Sequence, residues 1–596
     1  MIKVNVNEKL VEVEPGATVM DAAKKAGVDI PTLCHHPKLH PYGACRLCLV
    51  EVEGARTLVP SCTAPATDNM VVHTDTPRVK KARNFVLSML FSERNHFCMY
   101  CQATDGDCEL QNAAYAEDMN SWPFTPHYLP YAVDASHPDF VLDNNRCILC
   151  RRCVRTCGEL IGNYTLGFEE RGSSSFLVAD SGVPLGESTC ISCGNCVQFC
   201  PTGAFLDRRS AYQGRLTDLT HTESVCVDCS LGCIRDVQTR DNRLVRIDGA
   251  LEGEVNQGLL CERGRYKPFR EDRERVNTPL IRRNGQLVPA SWEEALNVVV
   301  TQLKANGSDD ISALISPRQS VEAFNAFSEF FRDNFQAKQV GLLNKEQTAM
   351  VGVKLAEEFG LFESPVTALQ SCDSALLLGA DIEDQHQVAG FMLKRQIEGG
   401  LKLYRDDECD QPAVVDEFKA NATADSAIVL GKCFVKQDNI QAVRDILAWA
   451  SKTNVKVVLL KGKANAYAAA LFGVAPCDRE ISSQFTYMAL GDQHSCQNTL
   501  ACLEQAAFKV VQAAYQCDLT DMADIVLPAK TCFEEEGHYL SGDGKLNLNR
   551  QALQADNQAK STAEVIALLA GKLGLTLKSD WKAALTKRPT TLTLAL

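Results

Sequence analysis

The chain has 596 residues, a formal net charge of −14 and a pI near 5.4. That acidic balance argues against a surface for nucleic acid or anionic lipid. A hydrophobic content of 45% is ordinary for globular protein, so several domains are expected, at roughly 150 residues each. The cysteines are unevenly placed: 19 lie before residue 262 and 8 in the remaining 335. Clustered CxxC runs in a long chain point to metal in a reducing compartment rather than to secreted disulfides. The first ten residues lack the basic-then-apolar pattern of a signal peptide, and no run of 18 apolar residues occurs. A cytoplasmic chain without membrane insertion is therefore expected.

Residues 1–78 open with two alternating strands, Ile2–Val6 and Leu10–Glu14, then a helix over Val19 to Ala26 closed by Gly27. Cys34-x10-Cys45-x2-Cys48-x13-Cys62 follows. Four thiolates suffice for a two-iron cluster, and Gly43 and Ala44 keep side-chain bulk off that loop. The series resembles the plant-type [2Fe–2S] domain, of β-grasp fold, at the front of hydrogenase and complex I iron–sulfur subunits.

Residues 79–118 form the next segment. Thr76 is placed to cap a helix with Pro77 at its first position, and Val79, Ala82, Val86, Leu87 and Leu90 supply an apolar face. The helix delivers His96-x-Cys98-x2-Cys101-x6-Cys108. This resembles the [4Fe–4S] site of the same families that is held by one histidine and three cysteines. The spacing departs from theirs: Arg94 falls where their histidine stands, and His96 is two residues closer to the first cysteine. The resemblance implies His96 as a ligand. The alternative is a loop histidine, with water or another side chain on the fourth iron. Residues 119–137, rich in Pro, Tyr, Trp and His, read as an ordered linker.

Within residues 138–218 the chain reads Cys147-x2-Cys150-x2-Cys153-x3-Cys157, then Cys190-x2-Cys193-x2-Cys196-x3-Cys200-Pro201. This is the bacterial-ferredoxin spacing written twice, and in such a pair the fourth cysteine of each run ligates the other cluster. Cys147, Cys150 and Cys153 are thus expected to hold one [4Fe–4S] cube with Cys200, and Cys190, Cys193 and Cys196 another with Cys157. A zinc ribbon or a disulfide framework is the competing reading. The insertion from Gly158 to Thr189 shows no ligand set.

Residues 219–275 carry Cys226-x2-Cys229-x3-Cys233-x27-Cys261. A hairpin over Val237–Ile247, turning at Asp241-Asn242, would return Cys261 to the other three. The segment resembles the N-terminal [4Fe–4S] domain of molybdopterin oxidoreductases, with Arg263 where the pterin enzymes place a lysine. A structural zinc with four thiolates is the alternative.

Residues 276–596 alternate buried-strand runs (Ala375–Leu378, Ala427–Leu430, Val455–Leu460) with helical segments. Leu280–Gly285, Ser291–Ala295, Ala523–Ala529 and Glu534–Gly537 resemble a shortened molybdopterin-oxidoreductase α/β domain. No C-terminal cap, CxxC pair or pterin-metal ligand is recognisable. Cys372, Cys409, Cys433, Cys477, Cys496, Cys502, Cys517 and Cys532 read mostly as small buried hydrophobes. No GxGxxG or GxxxxGK run occurs, so no nicotinamide or nucleoside-triphosphate site is expected.

Multidomain α+β and α/β architecture follows, with one two-iron and four four-iron clusters, no pterin and no catalytic site of its own. The resemblance implies an electron-transfer subunit of a soluble, hetero-oligomeric NAD(P)-linked oxidoreductase. Its partners would be a flavin subunit and a hydrogenase, formate dehydrogenase or other redox subunit. Cys190, Cys193 and Cys196 are all present, whereas complex I chains usually keep only part of that quartet, and this favours the soluble relatives. The rival readings are a compact molybdenum- or tungsten-pterin dehydrogenase and a non-transferring scaffold.

Overall fold

The computed structural model describes residues 1–103, 107–126, 128–343, 364–431, 440–476, 483–494, 500, 503–555, 558–578 and 580–586. The chain divides into two units, Met1–Thr220 and His221–Leu596.

The first unit begins with β1 (Ile2–Val6), β2 (Lys9–Val13), α1 (Val19–Lys25), β3 (Leu49–Val52), β4 (Val59–Pro60) and β5 (Met70–His73). The strands make a mixed sheet in the order β2-β1-β5-β3-β4. Alternation in β1 turns Val4 and Val6 inward, where they meet Val19, Ala22 and Ala23 of α1. Thr18 and Asp21 form a capping box at the start of α1, and Gly27, at φ +70°, follows its C-cap.

Thr76 caps α2 (Pro77–Glu93) through the Val79 N–H, with Pro77 in the first turn. Its buried residues are Val79, Arg83, Leu87, Ser88 and Phe91, not the wholly apolar stripe expected. Arg83 enters the interior because Glu117 accepts from it at 3.0 Å and the Leu49 carbonyl at 3.0 Å. α3 (Glu109–Ala116) follows, and the aromatic linker packs onto this region by a Phe91–Trp122 stack at 5.3 Å.

The remainder of the unit holds β6 (Val133–Asp134), β7 (Phe140–Asp143), α4 (Arg152–Arg155), β8 (Leu166–Glu169), β9 (Phe176–Ala179), α5 (Asn195–Gln198) and β10 (Phe205–Asp207). β10-β7-β6 form one small sheet, and the 158–189 insertion supplies the β8–β9 hairpin.

In the second unit, β11 (Ile234–Arg240) and β12 (Arg243–Gly249) pair around Asp241 and Asn242, both at positive φ, as a two-residue hairpin requires. Asn284 and Gly285 make a second such turn, between β13 (Leu280–Arg283) and β14 (Gln286–Pro289). These two strands edge a mainly parallel eight-stranded sheet that includes β15 (Ile311–Ile315), β16 (Phe485–Gly491), β17 (Phe508–Ala513) and β18 (Ile525–Pro528). Alternate residues of these strands enter opposite cores: Ala313, Tyr487 and Ile525 one, Leu314, Met488 and Val526 the other. Burial on both faces explains why these strands read as continuous apolar runs. The strands expected at 375–378, 427–430 and 455–460 are observed as Ser374–Leu378, Ala427–Leu430 and Lys456–Leu459, and they belong to a separate four-stranded parallel sheet with Lys402–Asp406.

Candidate functional site

The sulfurs of Cys34, Cys45, Cys48 and Cys62 converge in the first unit. Cys48 Sγ lies 3.3 Å from Cys62 Sγ, and the Cys45 N–H points at Cys34 Sγ over 3.5 Å. Cys45 and Cys62 both hydrogen-bond Cys34 and draw its thiol far below the ordinary range; the same bonds push Cys45 and Cys62 up. Gly43 sits at φ +71°, and a Cβ there would meet Thr63 Cγ2 at 3.0 Å, so this loop position calls for glycine.

The two ferredoxin runs fold as copies of one loop. Leu149 and Arg151 in the first, Ser192 and Gly194 in the second, take positive φ at matching positions. The Leu149 and Ser192 N–H groups point at Cys147 Sγ and Cys190 Sγ, each over 3.4 Å. The fold brings the fourth cysteines across. Burial pushes Cys150 up and the charge of Cys200 adds to it, while Cys147 and Cys153 feel Cys200 too. Cys190 is pushed up to about 12 by burial, then by Cys193 and Cys157, and Cys196 is raised by burial and by Cys193, Cys190, Cys157 and Cys200. Cys200 thus lies near Cys147, Cys150 and Cys153 and also near Cys196, while Cys157 lies near Cys190 and Cys196.

His96, Cys98, Cys101 and Cys108 line one cavity together with Phe91, Leu110 and Gly203. His96 Nε2 is buried there without a hydrogen-bond partner. Burial, with Arg146 and Arg94 nearby, lowers its pKa to about 4, so the imidazole is neutral. The ring also hydrogen-bonds the Leu90 backbone, leaving a lone-pair nitrogen for a metal, and Phe91 meets it edge-on at 5.5 Å. Arg94 is buried but engaged elsewhere: it donates to the Ser175 carbonyl and lies 4.4 Å above the Tyr131 ring. Gly203 leaves the cavity open, since a Cβ there would stand 2.6 Å from Cys101 Sγ.

In the second unit, Cys226, Cys229, Cys233 and Cys261 line a common void, and a Cβ on Gly264 would touch Cys226 Sγ at 3.4 Å. The β11–β12 hairpin and a 2.9 Å bond from Cys226 N to Cys233 O bring the four together. Beside them is a cavity of about 360 Å³ whose lining includes Asp228, Arg235, Arg318, Asp492 and Cys532. Arg318 bridges Asp228 at 3.0 Å and Asp492 at 2.8 Å, Lys267 holds Asp228 at 2.8 Å, and Arg263 donates to Asp384 at 2.6 Å. Sequence reasoning missed this charged chamber, because its members are scattered over some 300 positions with no spacing signal. Of the later cysteines, Cys372, Cys409 and Cys532 are buried and Cys517 is partly buried, and Cys409 is also disulfide-bonded. Cys433, Cys477, Cys496 and Cys502 lie outside the described residues. No helix among the described residues is long and apolar enough to cross a membrane.

Five family models match along the chain. They are a 2Fe-2S iron-sulfur cluster binding domain (1–77), the NADH-ubiquinone oxidoreductase-G iron-sulfur binding region (83–121) and the NADH-quinone oxidoreductase subunit 3 ferredoxin-like domain (138–206). The molybdopterin oxidoreductase Fe4S4 domain (219–270) and molybdopterin oxidoreductase (275–449 and 412–572) complete the series. Together with the fold, these make the chain an iron–sulfur oxidoreductase protein with both two-iron and four-iron domains. Among its relatives, the second G-type subunit of NADH-quinone oxidoreductase from Rhizobium meliloti is 34% identical over 398 residues, covering 66% of this chain and 46% of the relative. The chain thus spans about half the length of that protein. NADH-quinone oxidoreductase subunit 3 of Thermus thermophilus is 27% identical over 96% of this chain and 83% of its own length. The NADH-ubiquinone oxidoreductase 75 kDa subunit of Reclinomonas americana is 25% identical over 97% and 89%. A chain of the NAD+-reducing [NiFe]-hydrogenase crystal structure, in the H2-reduced state, is 38% identical over 36% of this chain and 91% of its own, with a TM-score of 0.34. Over its back half the chain belongs to the molybdopterin oxidoreductase family, and along nearly its whole length it is similar to the large iron–sulfur subunits of NADH-quinone oxidoreductases.

Proposed function

We propose that this chain relays single electrons between a flavin-bearing, NAD(P)H-linked partner subunit and a second redox partner. In this reading Cys34, Cys45, Cys48 and Cys62, in a β-grasp domain, hold a two-iron cluster. His96, Cys98, Cys101 and Cys108 hold a four-iron cluster, the two crossed ferredoxin sets hold one each, and Cys226, Cys229, Cys233 and Cys261 hold the last. Each bound cluster supplies a one-electron step, and a flavin is where a two-electron hydride divides into single electrons. The chain's own work is to fix spacing, exclude water and tune potentials through burial, hydrogen bonds to sulfur and ligand type.

What supports the reading is that Cys200 stands near Cys147, Cys150 and Cys153 while Cys157 stands near Cys190 and Cys196, the crossing that a ferredoxin pair demands and a sequential zinc ribbon does not. The unpartnered, neutral His96 Nε2 beside three thiols supports the mixed-ligand site.

The cavity beside Cys226 has few cations left for a pterin's phosphate: Arg318, Lys267 and Arg263 are paired with Asp228, Asp492 and Asp384, and Arg235 is turned onto Cys532 Sγ and the Phe533 ring.

Metal analysis of the purified complex is the test: about 18 irons per chain are expected, with visible absorbance that bleaches on adding NAD(P)H only when the flavoprotein partner is present. Colourless, zinc-loaded protein, or stoichiometric molybdenum or tungsten on this chain, would overturn the proposal.

A further inference from the structure

α4 is a single helical turn inside the first ferredoxin run, between Cys150 and Cys157. It carries two arginines three residues apart, Arg152 and Arg155, only 3% and 7% exposed. Burying a guanidinium is costly unless opposite charge and acceptors compensate it. The two side chains are compensated differently.

Arg152 has an ordinary partner. Its Nη1 and Nη2 donate to the two carboxylate oxygens of Glu109 at 2.6 and 2.8 Å. Glu109 follows Cys108, and its N–H donates to the Pro201 carbonyl at 2.8 Å, just after Cys200. Charge balances locally.

Arg155 donates Nη1 to the His40 carbonyl at 2.6 Å and Nη2 to the carbonyl of Cys34, and its guanidinium lies 5.3 Å from the Tyr42 ring centroid. Its Nε is buried with no partner. Among the described residues no carboxylate forms an ion pair with it, in contrast to Arg83 with Glu117 and Arg152 with Glu109. Two neutral carbonyls satisfy N–H groups but do not cancel a charge. Glu159 accepts from the His40 N–H at 3.3 Å without pairing with Arg155, and the other negative charge beside Arg155 is the sulfur set that begins at Cys34, whose carbonyl it holds. Four thiolates and two sulfides outweigh two ferric ions, and the added electron makes the set more negative still.

We infer that Arg155 is the counter-ion and positioning residue of the two-iron site: it holds the Cys34 loop against the ferredoxin module and favours the reduced form of that site. The inference rests on the two-iron assignment proposed above. A cation fixed beside a centre that gains negative charge raises its potential, because the added electron is stabilised by attraction. The carbonyl fork supplies the second role. A guanidinium can span His40 and Cys34 at once, whereas an ammonium is a single point donor.

The test uses the full chain copurified with its partner subunits, as wild type, Arg155→Gln, Arg155→Lys and Arg152→Gln. Iron content is measured, and the reduced two-iron signal is titrated by electron paramagnetic resonance. Arg155→Gln is expected to keep its iron and shift the two-iron midpoint downward. Arg155→Lys should recover much of that midpoint by keeping the charge. Arg152→Gln should leave it in place, because Glu109 already takes that charge. An unchanged midpoint in iron-replete Arg155→Gln, or an equal shift in Arg152→Gln, overturns the inference. If Arg155→Gln loses the signal altogether, Arg155→Lys decides. Recovery of signal and midpoint supports the counter-ion role, and loss in both variants reduces Arg155 to a structural clamp and overturns it. A wild-type protein with no reducible two-iron signal would instead refute the function proposed above.

Discussion

Glutamine at position 535 removes a carboxyl that the fold holds well above its ordinary range. Glu535 belongs to the run Glu534-Glu535-Glu536-Gly537, and its Oε1 accepts from Ser320 Oγ at 2.9 Å, at the N-cap of the helix Val321–Ser328. Burial, reinforced by Glu322 and Glu564 and only partly opposed by Ser320 and Lys530, raises its pKa from 4.5 to about 7. The sign follows from linkage. Below pH 4.5 the carboxyl is protonated in both states and costs nothing. As pH rises towards 7 the unfolded chain releases the proton first, so stability is progressively lost. At about 1.4 kcal/mol per unit, the loss approaches 3 kcal/mol well above pH 7, with about 1 kcal/mol of it falling between pH 6 and pH 8. Urea unfolding followed by tryptophan fluorescence reads mainly the second unit, which holds Trp292, Trp449 and Trp581 of the four tryptophans. Wild type should be less stable at pH 8 than at pH 6, and Glu535→Gln should lose that component of the slope and exceed wild type at pH 8. Equal slopes in the two proteins would refute the reasoning.

Three further outcomes follow from the sulfur sites. His96→Ala should lose about four irons per chain, whereas His96→Cys should keep them at a lower midpoint, since thiolate donates more charge than imidazole; iron analysis with a redox titration checks both. Gly203→Ala places a Cβ 2.6 Å from Cys101 Sγ, an overpacking cost of about 1–3 kcal/mol, and should bleach the His96-bearing site while sparing the two-iron signal. Cys200→Ala should disturb the site of Cys147, Cys150 and Cys153 before that of Cys190, Cys193 and Cys196, as Mössbauer spectra of singly substituted chains would report.

The candidate ligands were legible in the sequence because a cluster loop is a local object. Two-residue gaps and left-handed turns bring three thiols round within about ten residues, and the repeat of Cys147–Cys157 by Cys190–Cys200 reproduces the positive-φ positions as well as the spacing. The hairpin at Asp241-Asn242 was legible for the same reason, whereas the one at Asn284-Gly285 came only with the structure. Apolar runs marked the strands of the second unit but not their division between an eight-stranded and a four-stranded sheet, since an apolar run records burial and not its neighbours.

What the amino-acid order determined by itself is therefore the set of sulfurs and the turns that gather them, both encoded over short separations. Tertiary structure alone decided which charges face them. Arg155 meets Cys34 across 121 positions, and Arg318 joins Asp228 and Asp492 across 90 and 174. Such pairs answer to the cost of burying charge, which depends on what the folded chain places alongside, and no spacing along the chain records it.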